Sequence, residues 1–196
     1  MIKLVITTCL LIAGATALHS ATAQAGLEPY RLNGGINGRQ FWMDPNMINV
    51  AYMPLIRAAN SDWNNAGTRY SMTETSFQCC TAVNEYYAKN YSPATWRGVT
   101  MSYLNDGSGV QTCVGCAPFA NWDYSQISLN DERLRFDSSV LRTQSTIGHE
   151  TGHSIALTHS SVTSALLYPD ISVRYDVYGT YFPRQNDDIF FASQVQ

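Results

Sequence analysis

Apolar positions mark out the elements of this chain before any motif does. From Pro54 to Trp63 the residues Leu55, Ile56, Ala59 and Trp63 recur at three- and four-residue intervals, which predicts an amphipathic helix packed on a sheet. Pro54 suits its first turn and Gly67 its C-terminal cap. A second helical pattern opens near Asp137, a candidate cap, and continues through Val140, Leu141 and Ile147. Gly148 and Gly152 in that pattern permit close packing, each at a cost of up to about 1 kcal/mol of helix propensity relative to alanine. Strands are predicted at residues 39–43, 68–73, 98–104, where Val99, Met101 and Tyr103 share one face, and 125–130. Residues 26–38 read as an irregular Gly/Asn-rich arm, 81–90 as a short helix, and Asn105-Asp106-Gly107 as a turn. After residue 160 come a short turn, an aromatic stretch and a final helix opening near Asp188, so the class is α+β.

The chemistry concentrates in residues 146–169. On a helix His149 and His153 lie one turn apart on one face, so both imidazoles can reach one metal ion. Glu150 is rotated by about 100° from His149, which places it beside a metal-activated water as a general base rather than as a ligand; this is the H-E-x-x-H arrangement. His159 follows His153 by six residues and would leave that face on an unbroken helix, so the helix must end between them. A chain turning back after Ile155 would bring a third imidazole to the ion and leave a fourth position open, the pattern of catalytic zinc.

The run from His149 to Ser160, H-E-x-G-H-S-x-x-L-x-H-S, resembles the zinc signature of the metzincin peptidases and, within them, of the matrixins. Ala165-Leu166-Leu167-Tyr168-Pro169 is similar to the turn that runs beneath the metal in that family, and the Asp187-Asp188-Ile189 opening is similar to its closing helix. The resemblance implies a twisted, mostly parallel mixed sheet with two long helices and a small irregular C-terminal subdomain ending in a helix. It further implies one catalytic zinc on His149, His153 and His159, with Glu150 as base. Leu167 would form a hydrophobic base under the metal, and Tyr168, Pro169 and Ile171 would shape an apolar substrate pocket. Two positions depart from the family. Ala156 stands where a glycine turns the chain, at about 1 to 2 kcal/mol for a left-handed alanine, and Leu167 stands where the family has methionine. There is no R-C-G cysteine to act as a latency switch.

The N-terminus changes the compartment. Lys3, an apolar run from Leu4 to Ala17 and the small-x-small pattern Ala21-Thr22-Ala23 read as a signal peptide over residues 1–23, cut after Ala23 or Ala25. The expected location is secreted, or periplasmic in a Gram-negative bacterium. The remaining 173 residues, 24–196, make one domain, divided at 159/160 into upper and lower subdomains. Loss of Lys3 shifts the formal charge from −3 to −4, and no basic stripe remains. This argues against nucleic acid and an anionic membrane as partners; the metzincin resemblance implies a protein or peptide substrate, and a monomer is expected. Loss of His19 leaves the three motif histidines as the mature chain's whole complement, with none for a second zinc.

Four cysteines remain. Cys79 and Cys80 each pair with one of Cys113 and Cys116 in the disulfide reading, in either crossing. A four-thiolate zinc site or a redox C-x-x-C fits less well, because adjacent cysteines lack the ligand gap and no βαβ pattern surrounds them. Asp106, Asp123 and Asp131 are candidate calcium ligands, equally explained as surface carboxylates. Should His159 not be a ligand, Asp170 or Asp176 could replace it, whereas glutamate cannot, since none follows His153. The main alternative function is a secreted zinc-binding module without turnover.

Overall fold

The computed structural model describes residues 26–78, 82–111, 117–184 and 188–195. The signal segment and all four mature cysteines lie outside these residues. Five strands form one sheet in the order β2-β1-β3-β5-β4, with β1 Arg39–Met43, β2 Met72–Thr75, β3 Ala82–Lys89, β4 Gly98–Tyr103 and β5 Tyr124–Asn130. All pairings are parallel except β4 with β5. The architecture is α+β with a mostly parallel mixed sheet, and the antiparallel strand β4 is an edge.

Two long helices, α1 Tyr52–Asn64 and α3 Val140–Ser154, pack against each other and against the sheet. The apolar stripe read from the sequence accounts for α1: Ile56, Ala59 and Trp63 are all buried. Trp63 Nε1 donates to Gly148 O (2.9 Å), and a Cβ at Gly152 would stand 2.9 Å from Leu167 Cδ2 and 3.2 Å from Trp63 Cζ2. Gly152 is therefore fixed by packing, with the turn on one side of α3 and α1 on the other. Three short helices complete the described residues: α2 Asp131–Leu134, α4 Ile171–Arg174 and α5 Asp188–Ala192.

Two expectations need correction. Residues 81–90 are not a short helix: 82–89 form β3, the central strand. Val83, Asn84, Glu85 and Tyr86 are all buried, so the segment has no alternation to betray it, as befits a strand covered on both faces. Asp137 does not cap α3; Ser139 does, its Oγ accepting from Leu141 N at 3.2 Å. Asp137 instead binds Arg97, Arg142 (2.7 Å) and the Thr143 hydroxyl (3.0 Å). A smaller shift moves β2 to Met72–Thr75 from the expected 68–73.

Candidate metal centre

Helix α3 ends at the position chemistry requires. Ile155 is its C-cap, and Ala156 takes φ 71°, the left-handed conformation. Ala156 N donates to His153 O (3.1 Å) and Leu157 N to Gly152 O (3.2 Å), the paired bonds of a Schellman motif with alanine in the place usual for glycine. The turn sends the chain back toward the helix face it has just left. His159 thereby joins His149 and His153, and the ligand nitrogens of the three rings lie within 4.8 Å of one another. Among the described residues this is the only group of three side chains placed to hold a metal ion.

The two helical imidazoles have defined tautomers. His149 Nδ1 lies 2.8 Å from Leu166 O, and His153 Nδ1 lies 2.7 Å from Leu157 O. A carbonyl only accepts, so each Nδ1 carries the proton and each Nε2 presents a lone pair. Those two Nε2 atoms are 3.1 Å apart. Two lone pairs at that distance repel each other unless a cation lies between them, so these residues fit a metal ion. Burial lowers the pKa of His149 well below its ordinary value and that of His153 to about 4. His159, which opens to the cleft, is also lowered by desolvation and by its neighbour His153. All three are thus held neutral, the form that binds metal.

The turn beneath the histidines is pinned from two directions. Asp188, fully buried, accepts from Leu166 N (2.8 Å) and Leu167 N (3.1 Å). Arg174, also buried, donates through Nη1 to Tyr168 O (2.7 Å) and Pro169 O (3.1 Å) and through Nε to Ser145 Oγ (3.2 Å). Leu166 O, which orients His149, is therefore held in place by residues far along the chain. The D-D-I opening was a sequence signal for Asp188; Arg174 carried no signal, because an arginine is read as surface until its burial is seen.

Glu150 is buried beside the group. Thr100 Oγ1 on β4 lies 2.9 Å from Glu150 Oε2 and 2.8 Å from Glu150 O. Gly98 leaves the room for this contact, since a Cβ there would come within 2.7 Å of Glu150 Cγ. Burial pushes the Glu150 carboxyl up to about 6, against the opposing pull of the Thr100 hydrogen bond and of Arg174. A carboxyl poised there can both accept and release a proton near neutrality. A cleft of about 500 Å³ opens over Glu150, His153 and His159, with Gly98, Val99 and Thr100 of the edge strand in its lining.

Compared with models of known protein families and with curated proteins, the chain matches none. Placement of the remaining candidate residues therefore rests on geometry. Leu167 is fully buried beneath Gly152. Tyr168 and Ile171 are half-buried and Pro169 is exposed, but none of the four is in the lining of the cleft above Glu150. Asp106, Asp123 and Asp131 do not come together: each is engaged locally, with Ser108 N, with Asn33 Nδ2 and Asn105 N, and with the Tyr52 hydroxyl respectively. Asp176 pairs with Arg142 and Asp170 caps α4, so neither stands in for His159. Among the described residues no helix is long and apolar enough to cross a membrane.

Proposed function

We propose that this protein is an exported zinc-dependent endopeptidase of metzincin type, acting as a monomer on protein or peptide substrates. The observation that carries the reading is the pair of facing Nε2 lone pairs, 3.1 Å apart, with both Nδ1 atoms committed to carbonyls and His159 alongside. A tetrahedral zinc with nitrogen ligands at 2.0–2.1 Å asks for nitrogens about 3.3 Å apart. Three neutral imidazoles, with no fourth protein ligand among the described residues, match catalytic rather than structural zinc. Zinc in such a site supplies Lewis acidity, acidifying a water and polarising a carbonyl.

The chain's own residues supply the rest. Thr100 occupies Oε2 of Glu150, leaving Oε1 to take the proton of the attacking water and then deliver it to the departing amine nitrogen. Strand β4 is the outer edge of the sheet and borders the cleft, so an extended peptide has a strand edge to lie along. The absence of Lys and Arg runs in the chain favours a polypeptide over nucleic acid as the partner.

The test is cleavage of unfolded casein and quenched-fluorescence peptides by the purified mature chain. Zinc-loaded protein should cleave, a chelator should stop it, zinc should restore it, and Glu150→Ala should lower turnover by roughly 10² to 10⁴-fold, the range of general-base catalysis. One zinc per chain without chelator-sensitive cleavage would replace this reading with a zinc-binding module.

A further inference from the structure

The cleft contains a second carboxylate with no role in the chemistry above. Glu28 lies on the arm 26–28, which is fastened to the segment between the Ala156 turn and His159. Glu28 N donates to Ala156 O (2.8 Å), Thr158 N to Gly26 O (2.9 Å), and Gly26 N to Thr158 Oγ1 (2.7 Å), with Leu27 bridging antiparallel to Leu157. Five residues after the expected signal cut, the chain is thus locked against the metal-binding loop, and Glu28 is delivered to the cleft lining by backbone bonds that do not involve its side chain.

Its surroundings are those of an unmatched anion. Among the described residues no side chain donates to the Glu28 carboxylate or pairs with it, and burial alone raises its pKa. The described lining holds Glu28 and Glu150 as its acids and no lysine or arginine, while residues 112–116, between Gln111 and Ala117 of the same lining, have no charged residue in their sequence. Glu150 is fully buried and tied to Thr100, and the metal group comprises the three histidines without Glu28. Glu28 is therefore the carboxylate in the cleft left for an incoming charge. Trp96, packed on Tyr91 with ring centroids 4.8 Å apart, lines the same cleft and offers apolar surface to a long alkyl stem. A half-buried carboxylate gains more from a cation than an exposed one does, because water screens the pair less.

We infer that Glu28 is a specificity-determining residue that selects polypeptide substrates carrying a lysine or arginine close to the cut bond. The inference rests on the reading of this cleft as peptide-binding. It is tested on the zinc-loaded mature chain with quenched peptides that differ only by lysine, glutamine or glutamate, scanned from three residues before the cut to three after. At one position kcat/KM should favour lysine by about tenfold, roughly 1.4 kcal/mol. That ratio should fall to within about twofold in Glu28→Gln and invert toward a glutamate peptide in Glu28→Lys. Cleavage by the wild type with no such position, or an unchanged ratio in Glu28→Gln, overturns the inference. Anisotropy measurements of the same peptide pair on zinc-loaded Glu150→Ala protein, with and without Glu28→Gln, separate it from the peptidase reading. A Glu28-dependent lysine preference in binding without cleavage by the parent protein sustains the inference and refutes the peptidase; equal affinity for both peptides refutes the inference.

Discussion

His149 and His153 stand on a helix, His159 on a loop, and the two settings are held by different means. Helix α3 is fixed by packing: Trp63 and Leu167 close on Gly152 from two sides. The loop is fixed by polar pins, a Schellman turn at Ala156, the Asp188 carboxylate under Leu166 and Leu167, and Arg174 on the carbonyls of Tyr168 and Pro169. The difference is not a division of labour between rigid and adaptable halves. Leu166 O and Leu157 O, both on the loop, set the tautomers of the two helical imidazoles. The loop therefore brings one of the three imidazoles and orients the other two, which is the support a metal ion would require around its ligands.

The largest effects should come from the ligands themselves. His149→Ala and His159→Ala should each lower zinc affinity by more than the 10–100-fold typical of a supporting residue, measured by competition with a chromogenic chelator. Near-normal affinity in His159→Ala would reduce the loop to a scaffold that brings no imidazole to the metal. Next comes Asp188→Asn, which leaves both turn N–H groups without a charged acceptor and, because an amide has one oxygen, one of them without any acceptor. It should cost about 2 kcal/mol in urea unfolding and also weaken zinc by about tenfold or more, because Asp188 holds the turn whose Leu166 O orients His149. A stability loss with unchanged zinc affinity would show that the turn does not orient His149.

Acid should act on the metal-free protein through the same residues. The histidines have folded pKa values below the ordinary 6.5, so their neutral forms stabilise the fold fully above pH 6.5, and that stability is lost as pH falls toward about 4. For His153 the loss is on the order of 3 kcal/mol. Glu150, raised from 4.5 to about 6, works in the opposite sense: its contribution is complete below pH 4.5 and lost as pH rises through about 6. Three histidines outweigh one glutamate, so urea midpoints of the metal-free protein should fall from pH 7 to pH 5, and a flat profile would contradict the buried neutral site. The smallest effect should come from Ala156→Gly. Relief of a left-handed alanine, about 1 to 2 kcal/mol, is offset by a freer unfolded chain and a lost buried methyl, leaving a change under about 1 kcal/mol in thermal unfolding.

The site was far more legible in the sequence than the sheet. His149, Glu150, His153 and His159 are polar residues at helical and turn spacings, and their convergence follows from where α3 must stop; the left-handed Ala156 was expected from the resemblance, which places a turning glycine there. Strand β3 was missed because burial on both faces erases periodicity, and Ala82, Glu85 and Lys89 suit a helix as well. Thr100, Arg174 and Glu28 were missed for another reason. Thr100 meets Glu150 across 50 positions and the arm of Glu28 meets Thr158 across more than 100, while Arg174, which holds the nearby carbonyls of Tyr168 and Pro169, also reaches Ser145 across 29. No local pattern encodes such a meeting. The cysteines 79, 80, 113 and 116 lie outside the described residues, so their pairing stays an expectation.

One zinc ion held by three imidazoles, with a fourth position left to solvent, can be seen by X-ray absorption at the zinc edge of the purified mature chain. The account requires one zinc per chain and a first shell of nitrogen and oxygen scatterers at about 2.0–2.1 Å, with the multiple-scattering signature of imidazole and no sulfur. A shell dominated by sulfur at about 2.3 Å would move the metal to the cysteines and contradict it.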